Sequence, residues 1–418
     1  MVRAIAKYSL VVCWVFLLLG CSSSGFEPDH KTHITLWQGV NPPANREVLQ
    51  KLIDRFNTSQ PEIQVDSIYT GQPDQQIPKI LAAVIGGSPP DLLWYAPTLT
   101  GRLVELDALR PLDDLLANSP VAKEIQPALL STMQLNGKSW SIPFSTNNIG
   151  IFYRPSLFAA AGIKQLPTSW ADLRQVARQL TQELNGDRYP DQHGIILPLG
   201  KGEFTVFIWS PFLWSTGGDL SDRVNTPAAQ RALSFWQELV EDGTAILSQP
   251  ERGYEEDNFI QGKVAMQISG SWALGFMQRQ KIDFGVLPMP SDRRPATTVG
   301  GENLFLFKTN PRRAAAAWKF MEYVLSQDFQ TEFSIATGYL PVNTQVQYSP
   351  AYQKYVEQHP EIRTFLDQMP MAQSRPINAN YPRVSEAIGR AIEATLLQKS
   401  SPVQALEQAQ VSLDLLAK

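Results

Sequence analysis

The sequence predicts an α/β fold built on an open sheet, and three observations carry that expectation. Short apolar stretches of strand length alternate with longer ones whose apolar residues recur at helical spacing. The order strand, helix, strand, helix, strand opens the chain without interruption. Proline pairs such as Pro89-Pro90 break the chain between those units.

In order, His33 to Trp37 reads as a strand. Asn45 to Asn57 places Val48, Leu49, Leu52, Ile53 and Phe56 on one helical face. Ile63 to Tyr69 is a second strand, Gln75 to Ile85 a second helix, and Asp91 to Tyr95 a third, apolar strand. Ligands of open α/β sheets bind beyond the carboxyl ends of the strands, which puts Trp37, Gln38, Trp94 and Tyr95 on a candidate cleft wall. Ser169 with Asp172 forms a capping sequence ahead of a stripe of Trp170, Leu173, Val176, Ala177, Leu180 and Leu184. Thr226-Pro227 and Asn310-Pro311 open two further helices, carrying Leu233, Trp236 and Val240, and Ala315, Trp318, Met321, Tyr323 and Val324. Trp170, Trp236 and Trp318 belong to those core stripes. Asn380 to Gln398 and Val403 to Lys418 read as closing helices.

Composition excludes several functions. The net charge is -4, charged residues make up 18%, and no basic run offers the stripe that nucleic-acid backbones require. No G-x-x-x-x-G-K-[ST], G-x-G-x-x-G or G-x-S-x-G sequence occurs, and the four histidines form no zinc-binding pattern, so neither a cofactor nor a metal is implied. Ten tryptophans, many beside loops, are the unusual feature, since aromatic rings near strand ends suit stacking against a ligand.

The N-terminus carries Arg3 and Lys7, an apolar run from Leu10 to Leu19, and then Gly20-Cys21 before Ser22-Ser23-Ser24-Gly25. The run is too short to span a bilayer and has the layout of a secretory signal. It resembles a bacterial lipobox, which implies cleavage after residue 20, acylation of Cys21 and a linker over 21–32. The resemblance implies an extracytoplasmic protein held on a bacterial membrane by lipid. Cys13 leaves with the signal, so the mature chain has no disulfide and depends on its core.

Five segments then stand in a telling order: SIPFSTNNIGIFYRPSLFAAAGI from Ser141, KVAMQISGSW from Lys263, FGVLPMP from Phe284, GGENLFLFKTNPRRAAAAWKFMEYVLS from Gly300, and ATGYLPVN from Ala336. Together they resemble family 1 extracellular solute-binding proteins, the receptors of carbohydrate-uptake ABC transporters. The resemblance implies a two-lobed periplasmic-binding-protein fold with a three-strand hinge. The chain would cross it near Ser145 to Ile149, Phe284 to Leu287 and Thr309, giving a first lobe of 33–144 with 285–309 and a second of 145–284 with 310–418. It also implies a monomer that closes on a small ligand and presents the closed form to membrane permease subunits.

Pyranose rings need aromatic plates and polar side chains for their hydroxyls. On the family pattern, Trp209 and Trp214, with Asp219 shortly after, form an aromatic segment of the second lobe; each tryptophan can equally be core. Trp272, with Ser271 before it, matches a G-x-W motif whose tryptophan stacks on ligand. Asn147 at the first crossing, and Gly301 with Glu302 in GGEN, complete the neutral-sugar set. Tyr339 and Arg375 match positions that contact ligand in the glycerol-3-phosphate-binding branch, although the first-lobe tyrosine and glutamate of that branch are replaced here by Gln72 to Asp74 and the Tyr95-Ala96-Pro97 turn. A sugar, oligosaccharide or glycosylated polyol is the favoured ligand, with glycerol-3-phosphate or its diesters second. An extracytoplasmic glycoside hydrolase would need paired carboxylates such as Asp219, Glu255, Glu256 or Glu302, but none lies in a hydrolase motif.

Overall fold

A computed structural model describes residues 30–416 apart from 188, 222 and 249–254, so the signal and Cys21 lie outside the described residues. The predicted opening is present as β1 (Thr32–Gln38), α1 (Pro43–Ser59), β2 (Ile63–Tyr69), α2 (Pro73–Ile85) and β3 (Leu92–Tyr95). Further along come β4 (Ser141–Pro143), β5 (Ile149–Tyr153), α3 (Trp170–Leu180), β6 (His193–Leu197), α4 (Glu203–Ser215), α5 (Pro227–Glu241) and β7 (Ala245–Leu247). The chain continues with β8 (Val264–Gly270), β9 (Gly285–Leu287), β10 (Thr297–Val299), β11 (Asn303–Leu306), α6 (Pro311–Leu325) and α7 (Gln327–Thr337). It closes with β12 (Ala372–Ser374), α8 (Tyr381–Leu396) and α9 (Pro402–Leu416).

These strands form two five-stranded sheets, ordered β2-β1-β3-β11-β4 and β9-β5-β8-β6-β7, plus a short β10-β12 pair. In the first, β1 is parallel to β2 and β3, and β11 runs antiparallel between β3 and β4. In the second, β8, β6 and β7 are parallel and β5 is antiparallel to β8 and β9. Two open α/β sheets packed with helices are the two-lobed fold that the sequence predicts.

Local rules account for the helices. Leu49, Leu52, Ile53 and Phe56 of α1 are buried, and Pro43 supplies the pre-set φ of a first helical residue. Ser169 and Asp172 make the expected reciprocal cap on α3, with Asp172 N donating to Ser169 Oγ at 3.1 Å and Ser169 N to Asp172 Oδ2 at 3.0 Å. Leu184 does not share that stripe: α3 ends at Leu180, the chain turns into a Gln182–Gln192 bridge, and Leu184 is exposed.

Two sequence-derived boundaries are corrected. Gly285–Leu287 pairs with β5, so it belongs to the second sheet, and the chain returns to the first only at Gly300–Asn303. Helices α6 and α7 pack on the first sheet, not the second, whereas α8 and α9 pack against α4 and α5 beside the second. Phe320 of α6 meets Phe56 edge-on at 5.2 Å, Arg313 pairs with the buried Asp91, and Glu332 of α7 pairs with Arg55 and Lys51 of α1. The passages between sheets still lie side by side, since Asn147 bridges to Gly300 and Thr146 to Leu340.

Candidate ligand site

The parallel strands β1 and β2 end on the same edge, and their loops lead into α1 and α2. Asn45, in the first turn of α1, is fully buried. Its Nδ2 donates to Asn41 O at 3.4 Å and, across to the second sheet's layer, to Trp272 O at 3.2 Å. One residue on, the Arg46 guanidinium lies 3.8 Å over the Tyr69 ring. Gln76 of α2 donates from Nε2 to Gly71 O at 3.0 Å, which fixes the loop after β2. Asn41 Nδ2, Asn45 Oδ1, Arg46 Nη1 and Gln76 Oε1 are buried and make no hydrogen bond. Buried polar atoms are nearly always satisfied, and these four lie together at the strand edge where open α/β sheets take their ligands.

The Trp272 carbonyl meets this wall from the turn after β8. The turn is tight: a Cβ on Gly270 would lie 1.8 Å from the Trp272 ring, so only glycine lets the indole fold back over the strand end. Beneath it lies Phe207, centroid to centroid at 6.0 Å, and Arg375 Cζ stands 4.6 Å over the same phenyl ring. Gly300 brings backbone against Phe207 and the Asn147 amide, with no room for a side chain.

Phe207 is held by an uncommon arrangement. Pro211 sits inside α4 and has no N–H to give to the carbonyl four residues earlier. Thr298 Oγ1 of β10 donates to that Phe207 carbonyl instead, at 3.0 Å. Helix α4 also presents Glu203 one turn before Phe207, on the same face. The Glu203 carboxylate accepts from Arg375 Nη1, from Ser385 Oγ and, at 2.9 Å, from Tyr381 Oη. Burial disfavours the charged Arg375, yet Glu203, Tyr381 and Glu302 together lift its pKa above the usual arginine value. Burial first, then Glu203, pushes Tyr381 well above the ordinary tyrosine range, so it stays a neutral donor.

The residues named from sequence divide in two. Asn147, Ser271, Trp272, Gly301, Glu302, Tyr339 and Arg375 gather around the passages between the sheets. Asn147 Oδ1, Ser271 Oγ and Arg375 Nε are buried with no partner. Ser271 N donates to Asn148 O at 3.3 Å, and Glu302 O accepts from Phe144 N at 2.9 Å. Gly301 holds φ at +106°, and Tyr339 packs on Phe333 at 5.6 Å.

The others are spent in packing. Strand alternation sends Trp37 and Tyr95 to one face of the first sheet, with Leu93 and Phe305, while Trp94 joins Leu92 on the other. Gln38 is satisfied locally, accepting from Val40 N at 2.9 Å and donating to Ser67 Oγ at 3.4 Å. Trp209 and Trp214 are buried within α4, and Asp219 is exposed, closing a turn on Ser221 N. Asn41, Asn45, Arg46, Gln76, Glu203 and Phe207 escape the sequence reading. The only sequence signals for them are an asparagine pair four apart after a strand and the Glu203–Phe207 spacing.

The profile of the bacterial extracellular solute-binding protein family matches residues 51–360. The chain belongs to that family. Among curated relatives of this solute-binding protein is the maltotriose-binding protein of Pyrococcus abyssi, 21% identical over 76% of this chain and 68% of the relative. Its fold matches the Mycobacterium tuberculosis UgpB bound to glycerophosphocholine with a TM-score of 0.82, at 22% identity over 92% of this chain and 98% of that one. It also matches the cyclic alpha-maltosyl-1,6-maltose binding protein of Arthrobacter globiformis with a TM-score of 0.73, at 27% identity over 92% and 98%. Among the described residues of the solute-binding protein, no helix is long and apolar enough to cross a membrane.

Proposed function

We propose that this chain is the extracytoplasmic receptor of an ABC importer, binding a sugar, oligosaccharide or glycosylated polyol and delivering it to permease subunits as a lipid-anchored monomer. The observation that carries the reading is the Trp272–Phe207 ring pair, joined through the Asn45–Trp272 hydrogen bond to the edge where polar atoms of Asn41, Asn45, Arg46 and Gln76 lie buried without a hydrogen bond. A pyranose offers an apolar C–H face to the former and a rim of hydroxyls to the latter.

On this reading the first lobe comprises 32–143 and 303–337, and the second 149–299 and 361–416. Ligand bridges the Asn45 wall and the Trp272 wall only when the lobes close, so its differential affinity drives closure. Catalysis forms no part of the proposal. A glycerol phosphate ligand is the second reading, favoured by the guanidinium of Arg375.

The test is a thermal-shift screen of the soluble form starting at Ser22 against maltodextrins, other disaccharides, glycosylated glycerols, glycerol-3-phosphate and its diesters. Ligand at 100 times its Kd adds roughly 2.7 kcal/mol to the native state, a readable shift. A panel without any shift would defeat the carbohydrate reading.

A further inference from the structure

We propose that Glu203 sets the charge preference of the cleft: by cancelling the charge of Arg375 it admits uncharged, hydroxylated ligands and refuses phosphorylated ones. The inference rests on the solute-binding reading above and assigns a role to a residue outside its ligand-contacting set.

Arg375 is the cation a phosphate would seek, only 9% exposed and set over Phe207. Its Nη1 is already held by Glu203. Glu203 cannot swing away cheaply, because Tyr381 and Ser385 donate to the same carboxylate and the first turn of α4 favours a negative charge. Glu302 adds a second negative charge that acts on Arg375. The Arg375 cation thus meets two carboxylates, and a phosphate would give up its hydration for a site without net positive charge. A sugar hydroxyl asks for less. Arg375 Nε, buried and without a partner, offers one neutral-ligand hydrogen bond beside the aromatic surface.

The experiment is titration calorimetry on the soluble form and on Glu203→Gln, with maltotriose, sn-glycerol 3-phosphate and glycerophosphocholine as probes at low salt. The wild type is expected to bind the neutral sugar at least about tenfold more tightly than either phosphate, and excess inorganic phosphate should not displace it. Glu203→Gln keeps the shape but frees the charge of Arg375, so affinity for glycerol 3-phosphate should rise at least about tenfold. Adding Arg375→Gln should abolish that gain. Wild-type preference for a phosphate, or a folded Glu203→Gln with an unchanged preference, overturns the role of Glu203 while leaving solute binding intact. Should Glu203→Gln fail to fold, phosphate competition on the wild type still decides. Silence of every probe counts against both ligand readings above, and this inference falls with them.

Discussion

The side-chain amide of Asn45 donates to the carbonyl oxygen of Trp272 at 3.2 Å, joining the first turn of α1 to the turn that follows β8. The two residues lie on layers of different sheets, and the bond lies where the aromatic surface meets the polar wall. Asn45→Ala should weaken ligand binding about threefold to tenfold, the net worth of one hydrogen bond, and should also lower the melting temperature, because two backbone carbonyls lose this donor. Calorimetry on the folded variant checks this; equal affinity would separate the bond from closure.

Trp272 supplies the plate itself. Trp272→Ala should cost at least about tenfold in affinity, or about 1 kcal/mol or more, from lost stacking and burial. Trp272→Phe should recover part of it, which a fluorescence or calorimetric titration would show.

Thr298 completes a hydrogen bond that Pro211 leaves open at the Phe207 carbonyl. Thr298→Val keeps the shape and strands that carbonyl in the core, for an expected loss of about 1–3 kcal/mol in denaturant unfolding, while Thr298→Ser should be near wild type. Wild-type stability in the valine variant would mean the carbonyl has found another donor.

Acid sensitivity has a local source on the far side of the second sheet. Asp242 accepts from Arg174 Nε at 2.6 Å and from Arg178 Nη2 at 2.9 Å, and these guanidiniums, Arg174 foremost, bring its pKa from 3.8 down to about 2. Because the folded value lies below the unfolded one, the stabilisation is complete above the unfolded pKa and fades as pH falls toward the folded one. Melting curves from neutral pH down to about 2 should therefore drop more steeply for the wild type than for Asp242→Asn.

Cys21→Ser removes the acceptor for lipid. In a bacterial host the variant should move from the membrane pellet to the soluble fraction, since several acyl chains are what make such attachment lasting. Retention in the pellet would point to an uncleaved apolar segment.

Much of the fold is legible because each sheet begins as a run of local units. The β1-α1-β2-α2-β3 run shows its strands and helices in alternation and stripe, and the α3 cap is written in Ser169 and Asp172. Helix α4 is different. From Thr205 to Ser215 it is buried on every side, so it has no apolar stripe, and Pro211 in its interior reads as a breaker. The sheet to which an element belongs is also hidden. The stripe of α6 says that one face is covered, but only Phe320 on Phe56 and Arg313 on Asp91 say by what. Likewise the apolar run at Gly285–Leu287 suits either sheet until Val286 is seen opposite Phe152. Within the candidate site, Trp272 stands out by its motif. Asn45 and Gln76 read as solvated helix positions, because burial without a partner is a tertiary property.

The strand β11 lies between β3 and β4 in the first sheet, although about half of the chain separates it from β3. A polypeptide emerging from its N-terminus therefore produces β1, β2, β3 and β4 long before the piece that joins them. Until Asn303–Leu306 arrives, β3 and β4 each present an unpaired edge to their surroundings. The second sheet, whose strands all precede Pro290, has no such delay. The first sheet is thus the later of the two to be completed, and the newborn chain needs protection from aggregation at its open edges for most of its passage.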